Sequence, residues 1–260
     1  MVEITTTQLY NWVSAFIWPL VRILGVFSSA PLLSNTSFPM QTRLGLGVAM
    51  TVLVAPNLPA FPEHDPLSWV GILILTQQFM IGIAIGFVLR IIFTGVELAG
   101  EMIGMTMGLG FATFFDPQSK GHSSAISQLL SFLTLLIFIT SNLHLLLIET
   151  LVDSFHSLPI GVTSLDTNSF QQIAYYGSRL FSLGFQLSLP IITTLMITNM
   201  ALAVLTRAAP QLNLFAIGFP ITFLAGYLML YVLLPSLTTP IYNMLQEGLQ
   251  MIRQIILTVT

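Results

Sequence analysis

Long apolar runs alternate with short polar or proline-rich joints along almost the whole chain. A helix needs about 20 consecutive apolar residues to cross the hydrocarbon core of a membrane. The second run is marginal by this measure and the others suffice, and none shows the alternation that a membrane β-barrel requires. The pattern therefore predicts an all-α, membrane-embedded protein. The six runs cover residues 12–33, 44–60, 67–93, 126–151, 180–206 and 213–240.

Several of these runs are interrupted, which predicts kinked helices with close neighbours. Proline removes a backbone donor and clashes with the preceding turn. A charged or amide side chain is costly in hydrocarbon, so we expect it to face protein or water. Gly82 and Gly86 form a small-residue face that allows another helix to approach. The prolines are Pro19, Pro190, Pro220 and Pro235, and the polar interruptions are Arg22, Arg90, Gln186 and Asn199.

The composition argues against a soluble protein. Hydrophobic residues make up 55% of the chain and charged residues only 7%, whereas a soluble domain carries about 25% charged residues. The formal net charge of −3 argues against a nucleic-acid partner, because nucleic acids are bound through clustered positive charge. The chain has no cysteine, which excludes a disulfide framework, a thiolate metal site and a cysteine nucleophile.

The stretch from Gly100 to Gly121 is apolar but does not resemble an ordinary span. Gly100, Gly104 and Gly108 recur every four residues, so on a helix they share a face that another backbone can approach. Beyond Gly108 we expect the helix to end, because glycine loosens the chain and Pro117 keeps the preceding residue out of helical geometry. Two interpretations remain open at this point. The stretch is either a tight helix–helix contact followed by a turn, or a loop that constricts a passage.

Two acidic residues, Glu97 and Glu101, lie on the same helical face as these glycines. Like charges four residues apart repel each other, so the pair needs a compensating environment. A partner arginine or a solvated rim would supply it. The alternative is that the carboxylates carry protons or coordinate a cation, which would make the chain a small-solute or ion transporter. Such transporters are built from internal repeats, and the sequence shows none.

No group of residues fits a catalytic or metal site. His144, Glu149, Asp153 and His156 resemble metal ligands in composition, but His144 and Glu149 lie about 140° apart around a helix, which is not the spacing of a zinc-binding helix. Neither a nucleophile elbow nor a phosphate-binding glycine loop is present. We therefore expect a protein that is not an enzyme, with no catalytic residue, no cofactor and no metal, and with structural histidines.

Motifs along nearly the whole chain resemble the FliR family of flagellar export-gate proteins. The most telling is MGLGFATFFDP at 107–117. The others occur in the same order as in the family and with compatible spacing. They are RILGVFSSAPLLS at 22–34, LGLGVAMTVLVAPNLPAFP at 44–62, QQFMIGIAIGF at 77–87, NLHLLLIETLVDSFHSLPIG at 142–161 and RAAPQLNLFAIGFPIT at 207–222.

This resemblance implies a role in type III protein secretion at the flagellar basal body of the bacterial inner membrane. The chain would join FliP and FliQ subunits in a channel that passes unfolded export substrates, with FlhB and FlhA as further neighbours and lipid around it. Residues 1–170 would be FliP-like, and residues 171–260 would form a FliQ-like helical hairpin. The segment 105–121 would project into the lumen as a plug.

The resemblance and the glycine spacing together give two sets of candidate residues. The expected pore and plug residues are Met105, Met107, Gly108, Gly110, Phe111, Phe114, Phe115, Asp116 and Pro117. The expected subunit-packing residues are Gly82, Gly86, Gly100, Gly104, Arg207, Pro210, Gln211 and Asn213, the last four at the tip of the hairpin. We also expect Ser123 or Ser124 to cap the helix that follows the plug.

Overall fold

The structure, a computed structural model, describes residues 6–34, 38–58, 62, 65–109, 124–161, 167–209 and 218–257. These ranges contain helices and short connections and no strand, so the predicted all-α class is confirmed. The helices are α1 (Thr6–Ser29), α2 (Pro31–Ser34), α3 (Met40–Val54), α4 (Trp69–Thr106), α5 (Ala125–Thr140), α6 (Leu143–Ser157), α7 (Thr167–Gly177), α8 (Arg179–Ala208) and α9 (Phe219–Leu257).

The helices largely follow the apolar runs. Helix α7 lies between two of the runs, and α9 continues to Leu257, well past the predicted residue 240. Two further differences have local causes. The third run was expected to end at residue 93, but α4 continues to Thr106, because its glycines remain helical while packed against neighbouring helices. The fourth run is divided into α5 and α6 at Ser141 and Asn142. Asn142 has a left-handed φ of 57°, a conformation that asparagine tolerates better than most residues.

Three stretches of the described chain are long and apolar enough to cross a membrane, namely Trp69–Thr106, Gln171–Ala208 and Phe219–Ile255. Helices α5 and α6 provide a fourth if the pair forms one bent span. The first run gives a shorter apolar helix, Val13–Ser29. Helix α1 as a whole has 24 residues, Thr6–Ser29, so the expectation that the first run is long enough for a span stays a prediction.

Proline lies inside three of the long helices, as the sequence predicts. Pro19 is inside α1, Pro190 inside α8 and Pro235 inside α9. Pro220 is different, because it is the second residue of α9. In the first turn of a helix the backbone N–H has no intrahelical partner, so proline disturbs nothing there. The interruption predicted at Pro220 is therefore wrong.

The chain forms two compact units, of which the first contains residues 1–91, 142–177 and 246–260. In this unit α1 crosses the first part of α4 at closely spaced glycines. A Cβ atom on Gly82 would collide with the carbonyl oxygen of Arg22 and lie 2.9 Å from the Cα of Gly25, and one on Gly86 would lie 2.7 Å from the backbone nitrogen of Ala30. The close neighbour predicted for these glycines is present, and it belongs to the same chain.

Arg22 joins three helices of the first unit. Its Nε donates a hydrogen bond to Gln78 Oε1 on α4 at 2.7 Å. Its two Nη atoms donate to the carbonyl oxygens of Ser154 at 2.7 Å and Leu158 at 2.8 Å, at the end of α6. The guanidinium carbon lies 4.3 Å from the centroid of the Phe155 ring. The side chain is fully buried, so the expectation that Arg22 faces protein is confirmed.

The second unit contains residues 92–141 and 178–245. Here the last part of α4 packs against α5 and α8. A Cβ atom on Gly95 would lie 3.1 Å from the Leu183 Cβ of α8, and one on Gly184 would lie 2.9 Å from the Leu98 side chain. On α5, Phe138 meets Phe93 edge to face with ring centroids 6.0 Å apart. These contacts fix the end of α4, where the predicted plug begins.

Candidate functional site

The predicted plug segment, 105–121, lies between α4 and α5, and the structure describes its first residues, to residue 109, and the start of the helix that follows it. We call residues 105–108 the first root and residues 124–127 the second root, and we call the residues between the roots the loop. Met105, Met107 and Gly108 lie in the first root. The other predicted plug residues fall in 110–123, outside the described residues, and are Gly110, Phe111, Phe114, Phe115, Asp116 and Pro117.

The first root ends α4 in a turn. The backbone nitrogen of Met107 donates to the carbonyl oxygen of Ile103 at 2.9 Å, and that of Gly108 donates to Met105 at 3.0 Å. Gly108 has a φ of 88°, which a residue with a Cβ atom seldom adopts. The helix break that the sequence predicts near Gly108 is therefore confirmed.

The two methionines of the first root occupy different environments. The Met105 side chain is 62% exposed, whereas that of Met107 is 0% exposed. Met107 lies against Gly226 of α9, where a Cβ atom would be 2.6 Å from its Cγ. Of the two methionines predicted for the pore, Met105 presents its side chain to the outside of the chain, and Met107 is packed within it.

The second root begins with a helix cap. The Ser124 hydroxyl accepts a hydrogen bond from the backbone nitrogen of Ser127 at 3.1 Å, which satisfies one of the four donors left over at a helix start. The backbone nitrogen of Ser124 donates to Glu101 Oε1 at 2.7 Å. The prediction that Ser123 or Ser124 caps the helix after the loop is confirmed for Ser124.

The glycine face of α4 receives this same first turn of α5. A Cβ atom on Gly100 would lie 2.6 Å from the backbone nitrogen of Ser127, and one on Gly104 would lie 2.9 Å from Ser124 Oγ. Ser124 Oγ also lies 3.3 Å from the carbonyl oxygen of Gly100, to which it donates. The close approach predicted from the spacing is thus made within the chain. It keeps the two roots of the loop next to each other.

The acidic pair beside this crossing is compensated by serines of α5. Ser131 Oγ donates to Glu97 Oε1 at 3.2 Å, and Ser127 Oγ donates to the Glu97 carbonyl oxygen at 2.9 Å. Glu101 accepts from the Ser124 N–H at the N-terminus of α5, where the helix dipole favours negative charge. Within the described residues a hydroxyl and a helix start therefore compensate the pair, and both residues stay partly exposed to solvent, as the solvated-rim alternative expects.

Replacing Ser124 with alanine should lower the free energy of unfolding by about 1 kcal/mol, because the cap of α5 is lost. The measurement is thermal unfolding of the purified complex that contains the chain. Ser236→Ala is the matched control, since the exposed Ser236 hydroxyl donates only to Leu233 of its own helix, at 2.8 Å. Equal melting temperatures for the two variants would show that the cap contributes nothing.

The candidate residues at the hairpin tip are only partly described. Arg207 lies in the last turn of α8 and is exposed. A cation at the end of a helix is favoured by the helix dipole. Pro210, Gln211 and Asn213 lie outside the described residues. Their assignment to subunit packing stays a prediction.

The composition that resembles a metal site does not assemble into one where the structure describes the chain. No group of three or more histidine, cysteine, aspartate or glutamate side chains is placed to hold a metal ion among the described residues. Glu149 instead forms an ion pair with Arg253, with Oε1 and Nη2 3.3 Å apart. The partly exposed side chains make this a weak, solvent-screened pair.

Two contacts of the structure, one at the candidate site and one at Arg22, were not predicted from the sequence. Gly226 was not singled out, although a small residue within a run of large apolar side chains is the signal that could have identified it. The partners of Arg22 were also missed, because Gln78 and Ser154 lie 56 and 132 residues away along the chain. No local pattern connects residues at such separations.

Comparisons with known proteins agree with the fold and the motifs. Residues 13–248 match the family model described as bacterial export proteins, family 1. The flagellar biosynthetic protein FliR of Escherichia coli (strain K12) is 41% identical over 95% of this chain and 97% of its own length. FliR of Pectobacterium carotovorum is 42% identical over 90% of each chain, and FliR of Bacillus subtilis (strain 168) is 24% identical over 93% and 94%.

Proposed function

We propose, starting from the fact that this chain belongs to the FliR family of bacterial export proteins, that it is a core subunit of the flagellar export gate. In this proposal it forms a channel with FliP and FliQ in the inner membrane at the basal body. Unfolded flagellar proteins pass through this channel, and the loop between α4 and α5 plugs it. The family belongs to the export apparatus and is not a known enzyme class.

The observation that carries the partnership is the poor burial of the last two apolar spans. Within the chain 61% of the apolar window of Trp69–Thr106 is buried, against 17% for Gln171–Ala208 and 22% for Phe219–Ile255. Large side chains such as Met200, Leu224 and Tyr231 are exposed there. Exposed apolar side chains along two whole spans need lipid or another protein to cover them.

Two amide side chains favour protein over lipid on α8. Gln186 and Asn199 are both exposed, within an otherwise apolar stretch. Lipid offers no hydrogen-bond partner for an amide, whereas a neighbouring helix does. We therefore assign this part of the surface to FliP-like and FliQ-like partners and the remaining apolar surface to membrane lipid. FlhB and FlhA are proposed as further neighbours.

The plug assignment is supported by the fixed roots and by the composition of the loop. The roots are kept together by the crossing of α4 and α5, so the loop starts and ends at the same end of that crossing. The phenylalanine side chains of the loop, with the exposed Met105 of the first root, suit a seal that excludes water and repacks without specific bonds to break. The division into a FliP-like part, 1–170, and a FliQ-like hairpin, 171–260, remains part of the same proposal.

Co-expression with the FliP-like and FliQ-like proteins of the same genome tests the partnership. We expect a stable heteromeric complex, and aggregation or degradation when the chain is expressed alone. Changing Gln186 and Asn199 together to leucine should weaken the complex, because a partner would lose its hydrogen bonds to both amides. Thr76→Val is the matched control, since the Thr76 hydroxyl donates to Ile72 of its own helix at 2.9 Å.

Two results would contradict the proposed partnership. One is a monodisperse, stable monomer of this chain in mild detergent. The other is an improved yield of the lone chain with an unchanged complex in the double leucine variant, because that result would show that both amides face lipid.

A further inference from the structure

We propose that one face of α4 is a lipid-facing surface, and that Trp69 and Arg90 mark the two borders of the hydrocarbon core on it. The inference deepens the proposed function, because it names which apolar surface of the proposed complex contacts lipid, and it rests on that function. We call this face the α4 stripe. It consists of Trp69, Ile72, Leu73, Thr76, Phe79, Met80, Phe87 and Arg90.

The α4 stripe is exposed, whereas the opposite side of the same helix is buried. At about 100° per residue, the members of the stripe lie within about 120° of one another around α4, and all of them are exposed. The opposite side packs inside the first unit, where Gly82 meets α1 and Gln78 binds Arg22. This part of α4 therefore has one side packed against its own chain and one side open to its surroundings. The buried residues are Ile74, Gln78, Ile81, Ile85, Val88 and Leu89.

Between its two ends the stripe carries no polar group that needs a protein partner. Thr76 is its only polar residue there, and its hydroxyl donates to the Ile72 carbonyl oxygen of the same helix at 2.9 Å. Such a hydroxyl is tolerated in hydrocarbon, where an unpaired polar group is costly. The surface of α8 differs, because it carries the exposed amides of Gln186 and Asn199. Lipid therefore suits the α4 stripe better than it suits α8.

The length of the stripe matches the thickness of a bilayer. No proline interrupts α4, and from residue 69 to residue 90 a helix rises by about 30 Å. The hydrocarbon core of a membrane is about 30 Å thick. Tryptophan is enriched where hydrocarbon meets the headgroups. A long arginine side chain near the end of a span extends its charge into the headgroup layer while its methylene groups stay in the apolar region.

Arg90 is placed to bind a phospholipid phosphate. It is exposed and forms no hydrogen bond or ion pair with the residues that the structure describes. A guanidinium group binds phosphate through two parallel N–H donors. Just before the other end of the stripe lies the exposed, acidic Asp65, whose Oδ1 accepts from the Leu67 N–H at 2.9 Å. Because cationic residues concentrate on the cytoplasmic side of membranes, the Arg90 end of the stripe faces the cytoplasm.

Nitroxide labels along the stripe test this assignment in the assembled complex. The chain has no cysteine, so Leu73→Cys, Met80→Cys and Phe87→Cys each accept one label when the partner subunits are cysteine-free. In vesicles of phosphatidylethanolamine and phosphatidylglycerol, the collisions of each label with oxygen and with a water-soluble nickel chelate are measured. Oxygen concentrates in lipid and the chelate in water. We expect oxygen to dominate most at position 80, midway between the borders, and less at positions 73 and 87.

Leu67→Cys is the matched control, because Leu67 is exposed but precedes Trp69 and lies outside the stripe. A label there should collide with the nickel chelate several-fold more often than a label at position 80. If the label at position 80 is immobilised and shielded from both reagents, a protein partner covers the stripe. If the chelate reaches position 80 as easily as position 67, the stripe is in contact with water. Either of these results would overturn the proposal.

The border at Arg90 has a test of its own. Arg90→Gln removes the charged fork, so the purified complex should lose one tightly bound phosphatidylglycerol for each copy of this chain, as counted by native mass spectrometry. Arg253→Gln is the control, since Arg253 is paired with Glu149 of the same chain at 3.3 Å. Unchanged phosphatidylglycerol in Arg90→Gln, or an equal loss in the control, would contradict a phosphate contact at Arg90.

Failure of this inference can be distinguished from failure of the proposed function. If the complex with the FliP-like and FliQ-like proteins forms but the label at position 80 is shielded, the partnership stands and the stripe is a protein interface. If no complex forms while the labels on the chain in vesicles still show the greatest oxygen excess at position 80, the stripe stands and the partnership is wrong.

Discussion

Replacing Arg22 with methionine should destabilise the chain by about 3 kcal/mol or more, because it leaves the acceptors at Gln78 Oε1 and the Leu158 carbonyl oxygen buried without donors. Each buried acceptor without a partner costs about 1–3 kcal/mol. Methionine fills much of the same volume, so the loss reports on hydrogen bonds more than on a cavity. The measurement is thermal unfolding of the purified complex, together with the amount of the chain in membranes.

Two further variants define what this result means. Arg22→Lys should recover only part of the lost stability, because an ammonium group lacks the planar fork that reaches Gln78, Ser154 and Leu158 at once. Arg253→Met is the control for removing a cation, since its pair with Glu149 is partly exposed to solvent and contributes about 1 kcal/mol at most. If Arg22→Met were no more destabilising than Arg253→Met, the buried arginine would not be a structural link between α1, α4 and α6.

Much of this fold follows from features that are local in the sequence. The apolar runs predicted most of the helices, because an apolar segment that forms a helix satisfies its backbone hydrogen bonds within itself. The spacing of Gly100 and Gly104 predicted a close approach that depends only on the absence of side chains along one face. Ser124 was predicted as a cap because a serine before an apolar run is the usual start of a helix.

The parts that sequence reasoning missed depend on contacts between distant residues. Arg22 was expected to face protein, but its acceptors are carbonyl oxygens at the end of α6, which become available only when that helix ends near Leu158. Gly226 contacts the Met107 side chain, which lies more than 100 residues before it in the chain. Pro220 was assigned to a helix interior because the apolar run begins at residue 213, whereas α9 begins at Phe219.

Shortening the loop between Gly110 and Gly121 should have the largest functional effect of any change proposed for this chain. The roots on either side remain connected through the crossing of Gly100 with Ser127 and through the bond between Glu101 and Ser124. A shortened connection should therefore leave the helices in place and allow the complex to assemble. Under the proposed function, what is lost is the apolar segment that excludes water from the passage.

The most direct test of the gate is the ion permeability of the assembled complex with and without this loop. Intact and loop-shortened complexes are purified in parallel, matched for subunit composition, and placed in liposomes that report proton or potassium flux. We expect the intact complex to be tight and the loop-shortened complex to leak many-fold faster. If the loop-shortened complex assembles with all of its partners and remains as tight to ions as the intact one, the loop is not the plug.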